Sequence, residues 1–141
     1  MLSIAMNTYE SPAVYPTILL VEDEPILREL LTCALQELGA SVFAVGTAEE
    51  GRRLSLQQAF SLLLTDVRTP GPLNGLALAQ EIRERQPATR IIVMSGYHDA
   101  ASTRLPTGAV FLPKPWSLDQ LLAVIGEQLG EIEPPVVRPA A

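Results

Sequence analysis

The stretch FSLLLTD, residues 60–66, decides the fold. Its three central leucines leave no polar alternation, so it reads as a strand (Phe60–Thr65) buried on both faces, a property of parallel sheets. Working outward, TILLV (17–21), RIIVM (90–94) and AVFL (109–112) have the same character, and a shorter strand is expected at Ser41–Ala44. Helix-period segments lie between them. One begins near Pro25, whose missing N–H suits an opening turn. Its apolar face is expected to run through Ile26, Leu27, Leu30, Leu31, Ala34, Leu35 and Leu38, with Gly39 closing it. Thr47-Ala-Glu-Glu50 and Ser117-Leu-Asp-Gln120 are capping-box patterns that open two more helices. In the second of these, Leu118, Leu121, Leu122, Ile125 and Leu129 are expected to face inward. Gly75–Arg85 is helical and stops before Pro87. Between the fourth and fifth strands, SGYHDAASTRLPTG leaves room for a short or irregular helix at most. Strand and helix alternating in this way predict an α/β fold. It is a three-layer doubly wound sandwich, with a five-stranded parallel sheet of order 2-1-3-4-5.

In such a sheet, ligands bind beyond the carboxyl ends of the strands. Five polar residues follow the apolar runs there: Glu22 and Asp23, Asp66, Ser95 and Lys114. Clustered carboxylates repel one another and raise their pKa values, which a hard divalent ion offsets. An aspartate beside such an ion can attack a phosphoryl donor. A lysine and a hydroxyl can then meet the charge that develops on the phosphoryl oxygens. Each feature alone has a plain explanation: an acidic pair often only starts a helix, and Asp66 before Pro70-Gly71 suits a turn. Lys114 between two prolines and Ser95-Gly96 are equally ordinary surface chemistry. Their arrival together at four strand ends is the signal.

Composition bounds the rest. The chain has 141 residues and a net charge of −6, which disfavours nucleic acid as the main partner because phosphate backbones demand clustered Lys and Arg. No apolar run approaches a membrane span, and the start lacks signal-peptide character. The single cysteine, Cys33, forms no internal disulfide and is expected to be a buried small hydrophobe on the first helix, consistent with a cytoplasmic location. Residues 1–16 read as a flexible leader, 17–130 as one domain, and the proline-rich 131–141 as a disordered tail. His98 has no second ligand beside it, and Trp116 is expected to pack at the base of the last helix.

The motifs ILLVEDEP, LLLTDVRTPGPLNGL, IIVMSGY and GAVFLPKPW together resemble the receiver domain of bacterial two-component response regulators, the CheY-like family, from about Thr17 to Gly130. The resemblance implies that Asp66 accepts a phosphoryl group from a phosphohistidine. It implies a magnesium ion, or manganese in its place, held by Asp23, Asp66, the Arg68 carbonyl and, through water, Glu22. Lys114 and Ser95 would hold phosphoryl oxygens, Phe111 would stand at the aromatic switch position, and Lys114–Pro115 would be a cis bond. Partners implied are a histidine kinase or histidine phosphotransfer protein, docking around Pro25–Leu31 and Lys114–Ser117, and a downstream protein not named by the sequence. No membrane and no nucleic acid enter this picture.

Several departures matter. Glu22 stands where aspartate is more usual, and Phe111 lacks a hydroxyl, so switching there would rest on packing. Arg68 and Tyr97 flank the acceptor and suggest slow hydrolysis of the phosphorylated form. The abbreviated segment before the fifth strand alters the surface through which such domains commonly signal. The expected function is a single-domain response regulator with phosphoryl-acceptor chemistry but no enzyme turnover, free-standing to judge by its starting methionine and tail. The alternatives are a pseudo-receiver acting by binding alone and a receiver cut from a hybrid histidine kinase. A haloacid-dehalogenase-like phosphatase would need an acidic residue at Arg68, and a flavodoxin-like carrier would need a phosphate loop after the first strand.

Overall fold

A computed structural model describes residues 15–96 and 104–130. The strands are β1 (Thr17–Val21), β2 (Ser41–Val45), β3 (Leu62–Asp66), β4 (Arg90–Ser95) and β5 (Val110–Pro113). The helices are α1 (Pro25–Glu37), α2 (Ala48–Gln57), α3 (Gly75–Arg85) and α4 (Leu118–Leu129). All strand pairings are parallel, and the sheet order is β2-β1-β3-β4-β5. The helix foreseen between β4 and β5 falls mainly on residues 97–103, outside the described residues, as do Tyr97, His98 and most of the leader and tail.

Alternation along the strands divides the core in two. Ile18, Leu20, Leu62, Leu64, Ile92, Met94 and Leu112 pack on one face against Leu31 and Leu35 of α1 and Leu121 and Ile125 of α4. Leu19, Val21, Leu63, Ile91 and Val93 pack on the other against Ala48 of α2 and Leu78, Ala79 and Ile82 of α3. Trp116 leans on the first cluster. Burying both faces of β1, β3 and β4 explains their unbroken apolar runs.

The helix ends follow local chemistry. Thr47, Asn74 and Ser117 each accept a backbone N–H from the first turn of α2, α3 and α4. Ser117 and Gln120 form the full reciprocal box, whereas Glu50 turns to the Gly46 amide rather than back to Thr47. At the end of α1, the Gly39 amide donates to Gln36 and the Ala40 amide to Leu35, with Gly39 at φ 98°. This is a Schellman closure that needs a residue free to adopt a left-handed backbone.

Several expectations are corrected. Cys33 is exposed, not buried. Ile26 and Leu30 are 81% and 53% exposed, and Leu118 lies at the rim rather than inside. The helix meets the sheet along Leu31 and Leu35, and Ile26, Leu30 and Cys33 fall on a flank that no other element among the described residues covers. The central strand begins at Leu62 and includes Asp66.

Candidate functional site

Strand register brings the polar residues together. Val21 pairs with Thr65, so Glu22 reaches the level of Asp66. Asp66 pairs with Met94, one residue before Ser95, and Ser95 pairs with Pro113, one residue before Lys114. The Glu22 amide donates to Val45, the Val67 amide to Met94, and the Lys114 amide to Ser95, extending the ladders into the site. Glu22, Asp66 and Lys114 share the parity of the strand residues that face α1 and α4. By the same alternation Ser95 and Phe111 belong to the opposite face, and Phe111 is half-buried beside Val93.

The side chains then meet. Lys114 Nζ lies 2.7 Å from Asp66 Oδ1 and 3.9 Å from Glu22 Oε1. Carboxylate oxygens of Glu22, Asp23 and Asp66 all lie within 4.8 Å of one another. Asp23 is exposed, whereas Glu22 and Asp66 are buried. A hollow of about 150 Å³ opens over them, lined by Asp23, Asp66, Arg68, Ser95 and Lys114 among others. The Lys114–Pro115 peptide bond is cis.

The electrostatics show an acidic cluster incompletely neutralised. Burial, then a hydrogen bond to Asp66 favouring the neutral acid, then repulsion from the Asp66 charge, raise the Glu22 pKa to about 7. The Glu24 amide, which donates to Glu22 Oε2, and the Lys114 charge oppose this. For Lys114, burial works to lower the pKa, but the bond to Asp66 and the surrounding carboxylates outweigh it and hold the ammonium above its ordinary value. Among the described residues, Glu22 Oε1 is buried without a hydrogen-bond partner. An orphaned carboxylate oxygen within a set of three carboxylates is a donor set suited to a hard divalent cation such as magnesium.

Some residues that shape the site carry no chemical signal in the sequence. Arg28 of α1 donates from Nη1 to the Glu22 carbonyl at 2.8 Å, fixing the turn that presents the acidic pair. The Thr65 hydroxyl donates to the Asp66 carbonyl at 2.9 Å. Gly75, legible only as a helix start, lies so close to β3 that a Cβ there would come 1.7 Å from the same carbonyl and 2.5 Å from Thr65 Oγ1. The small residue lets α3 begin directly against the backbone of Asp66. Arg68 lines the hollow with its side chain exposed and engaged in contacts of its own.

Comparison with known proteins agrees with this geometry. The DNA-binding transcriptional regulator NtrC of Azospirillum brasilense is 37% identical over 127 residues, spanning 88% of this chain and 26% of NtrC. The sensor kinase CckA of Brucella abortus is 36% identical over 118 residues, spanning 80% of this chain and 12% of CckA. The chain thus spans about a quarter to a third of the length of the first curated regulators it matches. A crystal structure of the response regulator TrrA from Thermotoga maritima, in complex with Mg2+–BeF, superposes with a TM-score of 0.73 at 29% identity, over 81% of this chain and 99% of that one. The family model described as the response regulator receiver domain matches residues 18–126, the sheet and helices that carry the acidic hollow, and on that match the chain belongs to the receiver domain family of two-component response regulators.

Proposed function

We propose that Asp66 accepts a phosphoryl group from a phosphohistidine in a magnesium-dependent reaction, and that the phosphorylated chain signals by contact with another protein. The observation that carries this reading is Lys114 Nζ at 2.7 Å from Asp66 Oδ1, within a carboxylate cluster that opens to solvent. A carboxylate oxygen of Asp66 attacks phosphorus; a P–O bond forms as the P–N bond breaks, and the electron pair returns to the imidazole nitrogen. Lys114 meets charge on one phosphoryl oxygen, and Ser95, at the end of β4, offers a hydroxyl to another. Asp23, Asp66, the Arg68 carbonyl and, through water, Glu22 would hold a magnesium ion, which would supply charge neutralisation for the incoming group. In this role the chain is an acceptor with its own phosphorylation and dephosphorylation chemistry rather than an enzyme that turns over a separate substrate.

The donor in this reading is a histidine kinase or histidine phosphotransfer protein in the cytoplasm. Exposed Ile26 and Leu30, on the helix that follows Glu22 and Asp23, offer apolar docking area beside the acceptor. Among the described residues, no helix is long and apolar enough to cross a membrane. A second reading, in which the receiver is one module of a longer regulator or hybrid kinase, draws support from the partial spans of NtrC and CckA that it matches.

The test is intact mass after incubation with magnesium and acetyl phosphate, with Asp66→Asn beside the wild type. One added phosphoryl group, absent from the mutant and from protein kept in EDTA, is expected. No adduct, together with no binding of beryllofluoride, would leave a pseudo-receiver that acts by binding alone.

A further inference from the structure

The loop from Val67 to Asn74 joins the acceptor strand to α3 and includes Arg68, whose carbonyl the proposed function assigns to magnesium. What holds it is unusual in composition. Pro70 and Pro72 supply no N–H, so two of the loop's eight residues have no backbone donor with which to anchor it. From within, Thr69 Oγ1 donates to the Leu73 carbonyl at 3.1 Å and the Gly75 amide donates to Val67 at 2.9 Å. From outside, the Leu73 amide donates to Glu49 Oε2 at 3.2 Å, across 24 residues of chain. Gly71, at φ 97°, passes so close that a Cβ there would lie 2.8 Å from Glu49 Oε1. The carboxylate therefore lies along the loop, with one oxygen bonded and the other against the chain.

We infer that Glu49 is a positioning residue, anchoring the loop after Asp66 to α2 so that the Arg68 carbonyl is held in place for a cation. An acidic residue in the first turn of a helix is commonly explained by the helix dipole alone. The neighbouring Glu50 fits such a local role, since it caps the Gly46 amide at the head of its own helix. Glu49 does not: its partner belongs to another loop, and its carboxylate accepts from a part-buried backbone amide there. Groups that orient a metal ligand without touching the metal commonly govern affinity. The consequence for the cation rests on the phosphoryl-acceptor reading, while the anchor itself does not.

The test uses Glu49→Ala and Glu49→Gln in the full chain, with two readouts. Hydrogen exchange over residues 67–75 of the metal-free protein reports the anchor, and calorimetric titration with magnesium reports the cation. Glu49→Ala is expected to speed exchange at Leu73 and to raise the magnesium dissociation constant roughly tenfold, the low end for such orienting groups. Acetyl phosphate labelling of this variant recovers at saturating magnesium. Glu49→Gln keeps the acceptor oxygen and stays near wild type in both readouts. Unchanged exchange and unchanged affinity in Glu49→Ala would overturn the inference. So would a glutamine variant as damaged as the alanine one, which would point to the helix dipole. If wild-type protein binds no magnesium, the phosphoryl-acceptor reading fails, and exchange at Leu73 still decides the anchor.

Discussion

The two ends of the same strands are built on opposite principles. At the amino ends, polar groups are paired tightly. Thr17 and Ser61 exchange bonds across β1 and β3. The Thr89 hydroxyl donates to the Phe60 carbonyl at 2.8 Å, and Gln86 reaches the Ser55 carbonyl at 2.7 Å. Arg83 spends its guanidinium on the carbonyls of Thr107, Pro87 and Thr89. At the carboxyl ends, two carboxylates are buried side by side against one ammonium. The buried side-chain atoms without a hydrogen-bond partner among the described residues, Glu22 Oε1 and Trp116 Nε1, both lie in segments that follow strand carboxyl ends. Larger hollows, of about 590 and 490 Å³, open at the amino ends, yet one is lined by a single carboxylate and the other by none. Size and unsatisfied charge therefore pick out opposite ends of the sheet. Buried polar groups left short of partners are costly, and such groups concentrate where a ligand completes them.

Substitutions at the two ends should therefore separate stability from reactivity. The exception, and the largest effect, is Gly75→Ala. Its Cβ meets the Asp66 backbone, so β3 or α3 must move; a loss of about 3 kcal/mol by denaturant unfolding is expected, the upper part of the overpacking range, together with loss of the acetyl phosphate adduct. A normal adduct yield in a folded Gly75→Ala protein would show that the Asp66 backbone tolerates displacement. Next is Thr89→Val at the paired end. It strands the Phe60 carbonyl and should cost about 1–2 kcal/mol, while the labelling rate of Asp66 stays as in wild type. A slowed rate would mean that the two ends are coupled through β4, and the contrast would fail.

The remaining contrast is a pH dependence confined to the acidic end. Glu22 has its pKa raised in the folded protein from 4.5 to about 7. Between those values the folded state holds more protons than the unfolded one, so stability is present below the lower value and lost as pH rises through the upper. In metal-free protein the melting temperature should therefore fall as pH goes from 5 to 8. Glu22→Gln should flatten that part of the profile, and so should magnesium. A profile unchanged by Glu22→Gln would place the titration elsewhere.

Much of the fold was legible because its signals are local. Gly75–Arg85 is bounded by an asparagine cap and a following proline, and α3 occupies those residues. The apolar runs announce strands buried on both faces, and right-handed crossovers leave little choice of order. What misled is instructive. A 3.6-residue period names a stripe but not its width: α1 carries apolar residues around more of its circumference than the sheet covers, so Leu31 and Leu35 are buried while Ile26, Leu30 and Cys33 are not. Likewise Glu49 and Glu50 are adjacent acidic residues in the first turn of α2, yet Glu50 serves its own helix and Glu49 a loop 24 residues away.

By itself the sequence determined which residues end the strands, because hydrophobic runs and turn residues are properties of neighbours along the chain. It thereby named Glu22, Asp23, Asp66, Ser95 and Lys114 as the polar set at one rim. Only the tertiary structure decided how those groups meet: that Lys114 bonds Asp66 and stands farther from Glu22, that Glu22 is left with an orphaned oxygen, and that Gly75 and Glu49 press on β3 and the loop after it. Distances between side chains depend on register, helix azimuth and burial. These are set by packing across the whole sheet, and no single stretch of the chain encodes them.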